Sequence, residues 1–546
     1  MGETSGLKKW LPLAVLALAL FIVVLDTTII NVSIRNIIGD LHTDLKSVQW
    51  VITGYSLVLA AFTITGGRLG DIFGRKRMFI VGAIVFAVGS LIASRATTAP
   101  MLLASVSLIE GIGAAMMLPS TASLILSIYK GKDRAIAFGI YGAVAGAAAT
   151  IGPILGGWLT SNYSWRWNYL INPIVVLVLL AGAVLIKESH ERQPHRPDIV
   201  SILYSALGFA GVVYGVIESS TYGWIKAKQA YELGGHQYNL GLSISTYAIV
   251  FGLIFIGLFL WRQFKLEQRK KIPLVSIALF KNRQFMAGTT VLLVAVLAQF
   301  GFIFIIPVFF QGLLNKDAFH SGLAILPFSI SILVASPLSG ILAGKFNVAQ
   351  RHLVQFGLAL SAIGAFALHQ ELRIDSTVTT FIPGLILFGI GFGFAISQLA
   401  NVTLSAVSVN QAGEASGVNN TFRQLGSSLG QALIGALLIA SLSTQLNKDV
   451  TASTVIPEQA KSQVTAGVAA SAESLGTAGS TNVDRLAPTI VEEITHIRND
   501  AIVTGARTGM VATTVGLLAA LALSVALPKR AAILGADLDK PLTEKK

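Results

Sequence analysis

Asp26 and Glu110 each interrupt a long apolar run, one opening at residue 11 and the other lying between residues 101 and 129. An acid inside such a run costs roughly 2.5–3.5 kcal/mol on membrane-insertion scales, so it is expected to face a cavity or a partner. Low dielectric disfavours the ionised form of a carboxyl, which makes both residues candidate proton carriers. Each lies about 8–10 residues from the outer end of its run, and at ~1.5 Å per residue both fall in the outer half of a membrane. Two acids at similar depth without a nearby cation should not both ionise, so a shared or exchanged proton is expected if they meet. If they face different surfaces, Glu110 would bind a cationic substrate alone or act as a buried hydrogen-bond donor. Asp26 has its own bland alternative, a carboxyl bonded to hydroxyls of the spans to fix packing.

A second cluster of chemistry-bearing residues is Gly67-Arg68-Leu69-Gly70-Asp71-Ile72-Phe73-Gly74-Arg75-Lys76-Arg77, with four cations and one acid. Its glycines allow a tight turn and close backbone approach, so it reads as a hairpin between two spans. Other chemistry is poorly supported. No Cys is present, which excludes disulfides and thiol catalysis. The eight histidines fall mostly in or beside loops without a metal-ligand spacing, and no phosphate-binding G-x-x-x-x-G-K-S/T string occurs. Neither a cofactor nor a metal is expected, and any transport must draw on an ion gradient.

The elements that position these residues follow from composition. Of 546 residues, 53% are hydrophobic and 12% charged, against roughly 25% charged in soluble domains. The chain is therefore expected to be an all-α integral membrane protein. Fourteen spans are placed near 10–33, 48–69, 78–95, 101–129, 135–160, 167–187, 199–219, 240–261, 285–312, 321–344, 352–370, 378–407, 418–441 and 507–527. The run from residue 11 continues past Asp26 as a span, without the cleavage pattern of a signal peptide. With both termini inside, cytoplasmic segments hold 25 Lys and Arg and the short outer loops eight. That bias fits the positive-inside rule, and it accounts for the net charge of +13 without nucleic acid.

Gly340-Ile341-Leu342-Ala343-Gly344-Lys345-Phe346, followed by Arg351, repeats the hairpin motif after span 10, with Gly344 where the acid would be. The repeat sets spans 1–6 against 9–14 and leaves spans 7 and 8 as an inserted pair. Three segments are expected: residues 1–198, a six-helix half; 199–284, the inserted pair and a basic linker; and 285–546, a second six-helix half. The last contains a long extracytoplasmic loop, 442–506, whose end is expected to form an amphipathic helix leading into span 14. The linker is expected to lie on anionic lipid.

The hairpin string resembles the signature loop of the major facilitator superfamily, parallel six-helix halves around a midplane cavity. Four further stretches resemble its fourteen-span drug:proton antiporter branch. These are Leu25-Asp26-Thr27-Thr28-Ile29-Ile30-Asn31-Val32; Gly152-Pro153-Ile154-Leu155-Gly156-Gly157; Trp165-Arg166-Trp167 with Leu170-Ile171-Asn172-Pro173; and residues 412–430 around Asn419, Asn420 and Arg423. Span 4 departs from that pattern. Ser107 stands where the family has an arginine implicated in proton coupling, and Glu110 where it has glutamine. The family's glycine four residues before Gly152 is Ala148 here.

The resemblance implies proton-coupled export of hydrophobic or amphipathic small molecules, drugs or antibiotics, across a bacterial inner membrane. The Asp26–Glu110 pair would replace an Asp–Arg arrangement in coupling. Gly67, Asp71, Gly74, Arg75 and Lys76 would form a gating loop, with Asp71 meeting the N-terminus of span 13 and held by Arg75. Gly152, Pro153, Gly156 and Gly157 would form a close-packed, kinked antiporter motif. Asn31, Ser107, Asn419 and Arg423 are cavity or gate candidates, although Arg423 could instead snorkel to the interface. Relatives that take dications carry acids in spans 10 and 13, and this chain has none inside those spans. Expected partners are a small or lipid-like substrate, protons and membrane lipid, with the protein a monomer. A flippase-like exporter of a lipid or hydrophobic metabolite and a non-transporting scaffold are the competing readings.

Overall fold

The computed structural model describes residues 6–528 apart from 31–32, 44, 189–197, 234–235, 240, 270, 272, 315, 317, 409–410, 458–460 and 462–487. Among these residues the chain forms fourteen long helices. The first six are α1 (Gly6–Ile29), α2 (Leu45–Phe73), α3 (Arg75–Ala93), α4 (Ala99–Ile128), α5 (Gly131–Asn162) and α6 (Trp167–Gly182). Next come α7 (Ile199–Tyr222), α8 (Ile244–Gln268), α9 (Arg283–Gly312), α10 (Leu326–Gly344) and α11 (Gln350–Glu371). The last three are α12 (Ile382–Ser405), α13 (Ala412–Ala452) and α14 (Pro488–Leu523). Thirteen of them are long and apolar enough to cross a membrane, and α5 runs between α1 and α10. The protein is a multi-pass membrane protein, and its helices follow the fourteen runs read from the sequence.

Apolar contacts gather into two large cores. One gathers buried residues of α1–α6, among them Leu16, Phe79, Phe86 and Phe138, and also takes in residues of α7–α9, α12 and α13. The other gathers residues of α9–α14 around Phe302, whose ring stacks on Phe388 with centroids 4.5 Å apart. The halves meet along α2 with α13 and along α5 with α10. Small residues permit both seams. A Cβ on Gly340 would come 2.7 Å from the Ala135 carbonyl oxygen, and one on Gly344 equally close to that of Lys132. Close backbone approach of this kind is how helices associate in lipid, where burial of apolar surface offers little drive.

The pair α7–α8 packs in the same way, with Gly211 set against Gly252, and α7 lies against α2 and α13. Trp50 of α2 stacks on Tyr214 of α7. At the end of the pair nearest the Gly67–Arg77 motif, Arg262 grips both oxygens of Asp198 at 2.7 Å.

Beyond the membrane runs, α13 has 41 residues, about 60 Å at 1.5 Å per residue and twice the ~30 Å hydrocarbon core. Its far end packs on the start of α14. Leu446, Val450, Ile494, Ile497 and Ala501 are buried together, and Ser453 donates to Glu493 at 2.9 Å. The expected amphipathic helix is thus continuous with the last span. Residues 458–460 and 462–487 of the loop lie outside the described residues.

The linker departs from expectation. Instead of lying on lipid, Leu274, Val275 and Leu279 are buried in the core of the first half. The backbone amides of Leu274 and Val275 donate to Gln263 Oε1, and those of Ser276 and Ile277 to Glu414 and Glu267. Basic composition suggests a lipid surface, but these amides are held by Gln263 and Glu267 at the start of the linker and by Glu414 of α13.

Candidate functional site

α1, α3, α4 and α6 bring the two acids together. Asp26 is 3% exposed and Glu110 fully buried, and each carboxyl bears electrostatically on the other. Ser90 of α3 donates to Glu110. The Asn172 amide of α6 donates to Asp26 Oδ1 at 2.8 Å and to Ser90 Oγ at 3.0 Å. No Lys or Arg pairs with either acid among the described residues. Two neighbouring buried carboxyls without a counter-cation are costly to ionise together.

Local structure explains how Glu110 arrives there. α4 winds as a π-helix over Leu103–Glu110 and returns to α-helical geometry at Gly111. π-turns are rare and occur often at functional positions. On the facing helix Gly89 makes the room, since a Cβ there would stand 2.6 Å from Glu110 Cγ. Tyr55 and Tyr169 lie close enough for both acids to bear on them electrostatically. Their buried hydroxyls have no hydrogen-bond partner among the described residues.

One helical turn from Asn172, Asn168 donates to Ser33 Oγ at 2.7 Å and to Thr160 Oγ1 at 3.2 Å. The carbonyl oxygens of both asparagines are buried and unpartnered among the described residues. A polar ladder therefore runs along α6 from the acids toward the end of the bundle opposite the Gly67–Arg77 motif. Sequence reasoning notes the Leu170–Pro173 string only for its family resemblance and does not place Asn172 on Asp26. The signal available is two Asn one turn apart on an otherwise apolar helix.

At the motif end, Asp71 is buried on the N-terminus of α13. It accepts from the Gly413 amide at 3.2 Å, the Glu414 amide at 3.1 Å, and Arg75 Nη2 at 2.9 Å. The first amides of a helix have no partners within it and carry the positive end of its dipole, so they hold a carboxylate well. A side chain on Gly413 would begin 2.5 Å from Asp71 Oδ1. Gly74, at φ 103°, makes the turn that only glycine adopts easily, and the Lys76 amide donates to Glu188 at 3.2 Å. Glu414 in turn reaches Arg68 at 4.0 Å and the Ser276 amide at 2.5 Å, so one residue joins the gate to the linker.

The other sequence candidates are spread along the bundle. Gly152 lies against Thr28 of α1, two residues beyond Asp26, and Gly156 is buried; α5 runs unbroken through Pro153 and Gly157. Ser107 is buried and donates to the Val51 carbonyl of α2 at 2.8 Å. Asn419 is buried with an unpartnered oxygen among the described residues. Arg423 is partly buried and faces Tyr141 of α5. Asn31 lies outside the described residues. Arg166 ties Asp40 to the Ala96 carbonyl and stacks on Trp165 with 4.5 Å to the ring centre, which fits an anchoring role. Its hydrogen bond to Asp40 holds that carboxyl below the usual carboxylate range.

Residues 16–431 match the family model for the Major Facilitator Superfamily. The chain is 30% identical to the "Probable actinorhodin transporter" of Streptomyces coelicolor, over 82% of this chain and 76% of that one. It is also 30% identical to the "Multidrug efflux pump LfrA" of Mycolicibacterium smegmatis, over 95% and 96% of the two chains. Among solved structures, the human organic anion transporter MFSD10 superposes with a TM-score of 0.57 at 10% identity, covering 94% of this chain and 99% of that one.

Proposed function

The chain belongs to the Major Facilitator Superfamily, and we propose that within it this protein is a proton-coupled exporter of hydrophobic or amphipathic small molecules, antibiotics among them. It works by alternating access, leaving the covalent bonds of its substrate unchanged. The observation that carries this reading is the buried Asp26–Glu110 pair, linked through Ser90 and Asn172. The similarity to antibiotic and multidrug transporters supports the substrate class.

In this reading the pair carries the exchanged proton. Proton binding favours one facing state and substrate the other, because only differential affinity moves a two-state equilibrium. Gly67, Asp71, Gly74, Arg75 and Lys76 form the cytoplasmic latch, which is closed here. The glycines of α5 let α1 and α10 approach it closely. Residues 1–198 and 285–546 are the rocking halves and 199–284 the inserted pair with its linker. The protein is a monomer of the bacterial inner membrane with both termini in the cytoplasm, as the Lys/Arg bias supports.

Proteoliposome flux tests the reading. A pH gradient should drive uptake of an amphipathic dye, and Glu110→Gln should lower that uptake at least tenfold. Undiminished coupling in this variant would remove Glu110 from the mechanism. Translocation of a labelled lipid without dye flux would favour a flippase.

A further inference from the structure

Arg423 is a cation without an acid. It lies inside α13, partly buried, and its guanidinium cannot deprotonate to escape the cost of burial. Among the described residues it has no ion pair or hydrogen bond, and Tyr141 is the one charge-bearing neighbour that bears on it. Neither Asp26 nor Glu110 reaches it. A charge kept inside a membrane bundle normally marks a substrate or ion path.

The helix geometry says where it points. Gly413 and Gly417 face α2, and Gly426 and Gly430 face the carbonyls of Leu293 and Leu297 on α9. At about 100° per residue, Arg423 lies on the arc between those two faces, nearest the stripe of Gly430. Its charge bears on Tyr141 of α5, in the opposite half. One turn away on α13, the Asn419 side-chain oxygen is buried and unpartnered among the described residues. No Asp or Glu occurs in α10, or in α13 between Glu414 and Asp449.

We propose that Arg423 recognises the anionic group of an amphipathic substrate (a sulfonate, carboxylate or phenolate) held between α5 and α13, with Tyr141 beside it. The guanidinium offers five donors in a planar fork suited to such oxyanions. Asn419 would accept a hydroxyl from the same molecule. This assignment rests on the exporter reading and narrows its substrate class to anions.

The test compares two planar probes of fixed charge in proteoliposomes of the full chain under a pH gradient. They are 8-anilinonaphthalene-1-sulfonate, an anion, and ethidium, a cation. Wild type should move the sulfonate faster. Arg423→Gln should lower sulfonate flux at least tenfold, and Arg423→Lys should restore part of it. An unchanged thermal midpoint in detergent shows that Arg423→Gln is folded; if it is not, the Lys variant and the wild-type probe preference decide. Ethidium flux without sulfonate flux in wild type, or sulfonate flux indifferent to position 423, would overturn this inference and leave the exporter reading standing. Flux of neither probe would overturn both.

Discussion

Asp71 Oδ1 stands 3.2 Å from the Gly413 amide nitrogen, 342 positions away in the chain. The matching contact in the repeated motif is different in kind. Gly344 occupies the place of the acid, and its backbone lies directly on Lys132. Both seams pack closely on glycine, Gly67 against Gly413 in the first and Gly344 against Lys132 in the second. The first adds a carboxylate on a helix end, whose hydrogen bonds can be exchanged for water and whose charge can be removed, while the second has no such polar closure. We therefore expect α5–α10 to act as the hinge and α2–α13 as the gate.

Asp71→Asn should loosen the gate, since hydrogen bonds to a charged group contribute about 1.5–3 kcal/mol. The chain has no cysteine, so a single one introduced at the buried Ser416 reports opening without background. Maleimide labelling there should quicken severalfold when Asp71→Asn is added. An unchanged rate would show that Asp71 does not hold the gate.

Gly344→Asp restores the acid of the first motif but places its Cβ 2.7 Å from the Lys132 carbonyl oxygen. We expect a lower thermal midpoint and reduced flux, with a cost of about 1–3 kcal/mol typical of overpacking. A stable, fully active variant would argue against a rigid α5–α10 hinge.

Asn172→Leu removes the donor that spans Asp26 and Ser90. The buried Asp26 carboxyl loses its amide donor, so stability should fall by about 1–3 kcal/mol. If the pair carries the exchanged proton, the pH profile of dye flux should shift as well. Loss of stability with an unmoved profile would reduce Asn172 to packing.

Arg262 holds the Asp198 carboxyl below the usual carboxylate range, chiefly through their hydrogen bonds. A depressed folded-state pKa contributes stability that is present above the unfolded value, near ~3.9, and is lost as pH falls through the folded value. The pair is partly exposed, so its contribution is about 1 kcal/mol or less. Asp198→Asn should lower the thermal midpoint slightly at pH 7, and the difference from wild type should vanish in strong acid. A constant difference at every pH would assign the effect to helix capping.

The spans and the Asp71 latch were legible because each rests on a local pattern, an apolar run or a glycine-spaced turn with its charges. Asp26 and Glu110 were legible as acids in greasy segments, and their similar depth suggested the pairing. Their surroundings were not. The amide of Asn172 is 146 residues from Asp26, and neither Gly89 nor the π-turn of α4 has a sequence signature that tells it from ordinary helix. The linker misled for a related reason. Its Lys and Arg speak for a lipid surface, while Gln263, Glu267 and Glu414, which dock it, act through backbone amides that every sequence has. Arg423 was ambiguous because nothing in its sequence neighbourhood shows that Tyr141, 282 residues away, lies close enough to bear on its charge.

The length of α13 has a practical consequence. One unbroken rod starts on Asp71 and stops at Ala452, so a tilt of about ten degrees at its root would carry its tip sideways by about 10 Å over its ~60 Å length. A spin label or dye at that tip would read the position of the latch from the far side of the bilayer, without touching the latch itself.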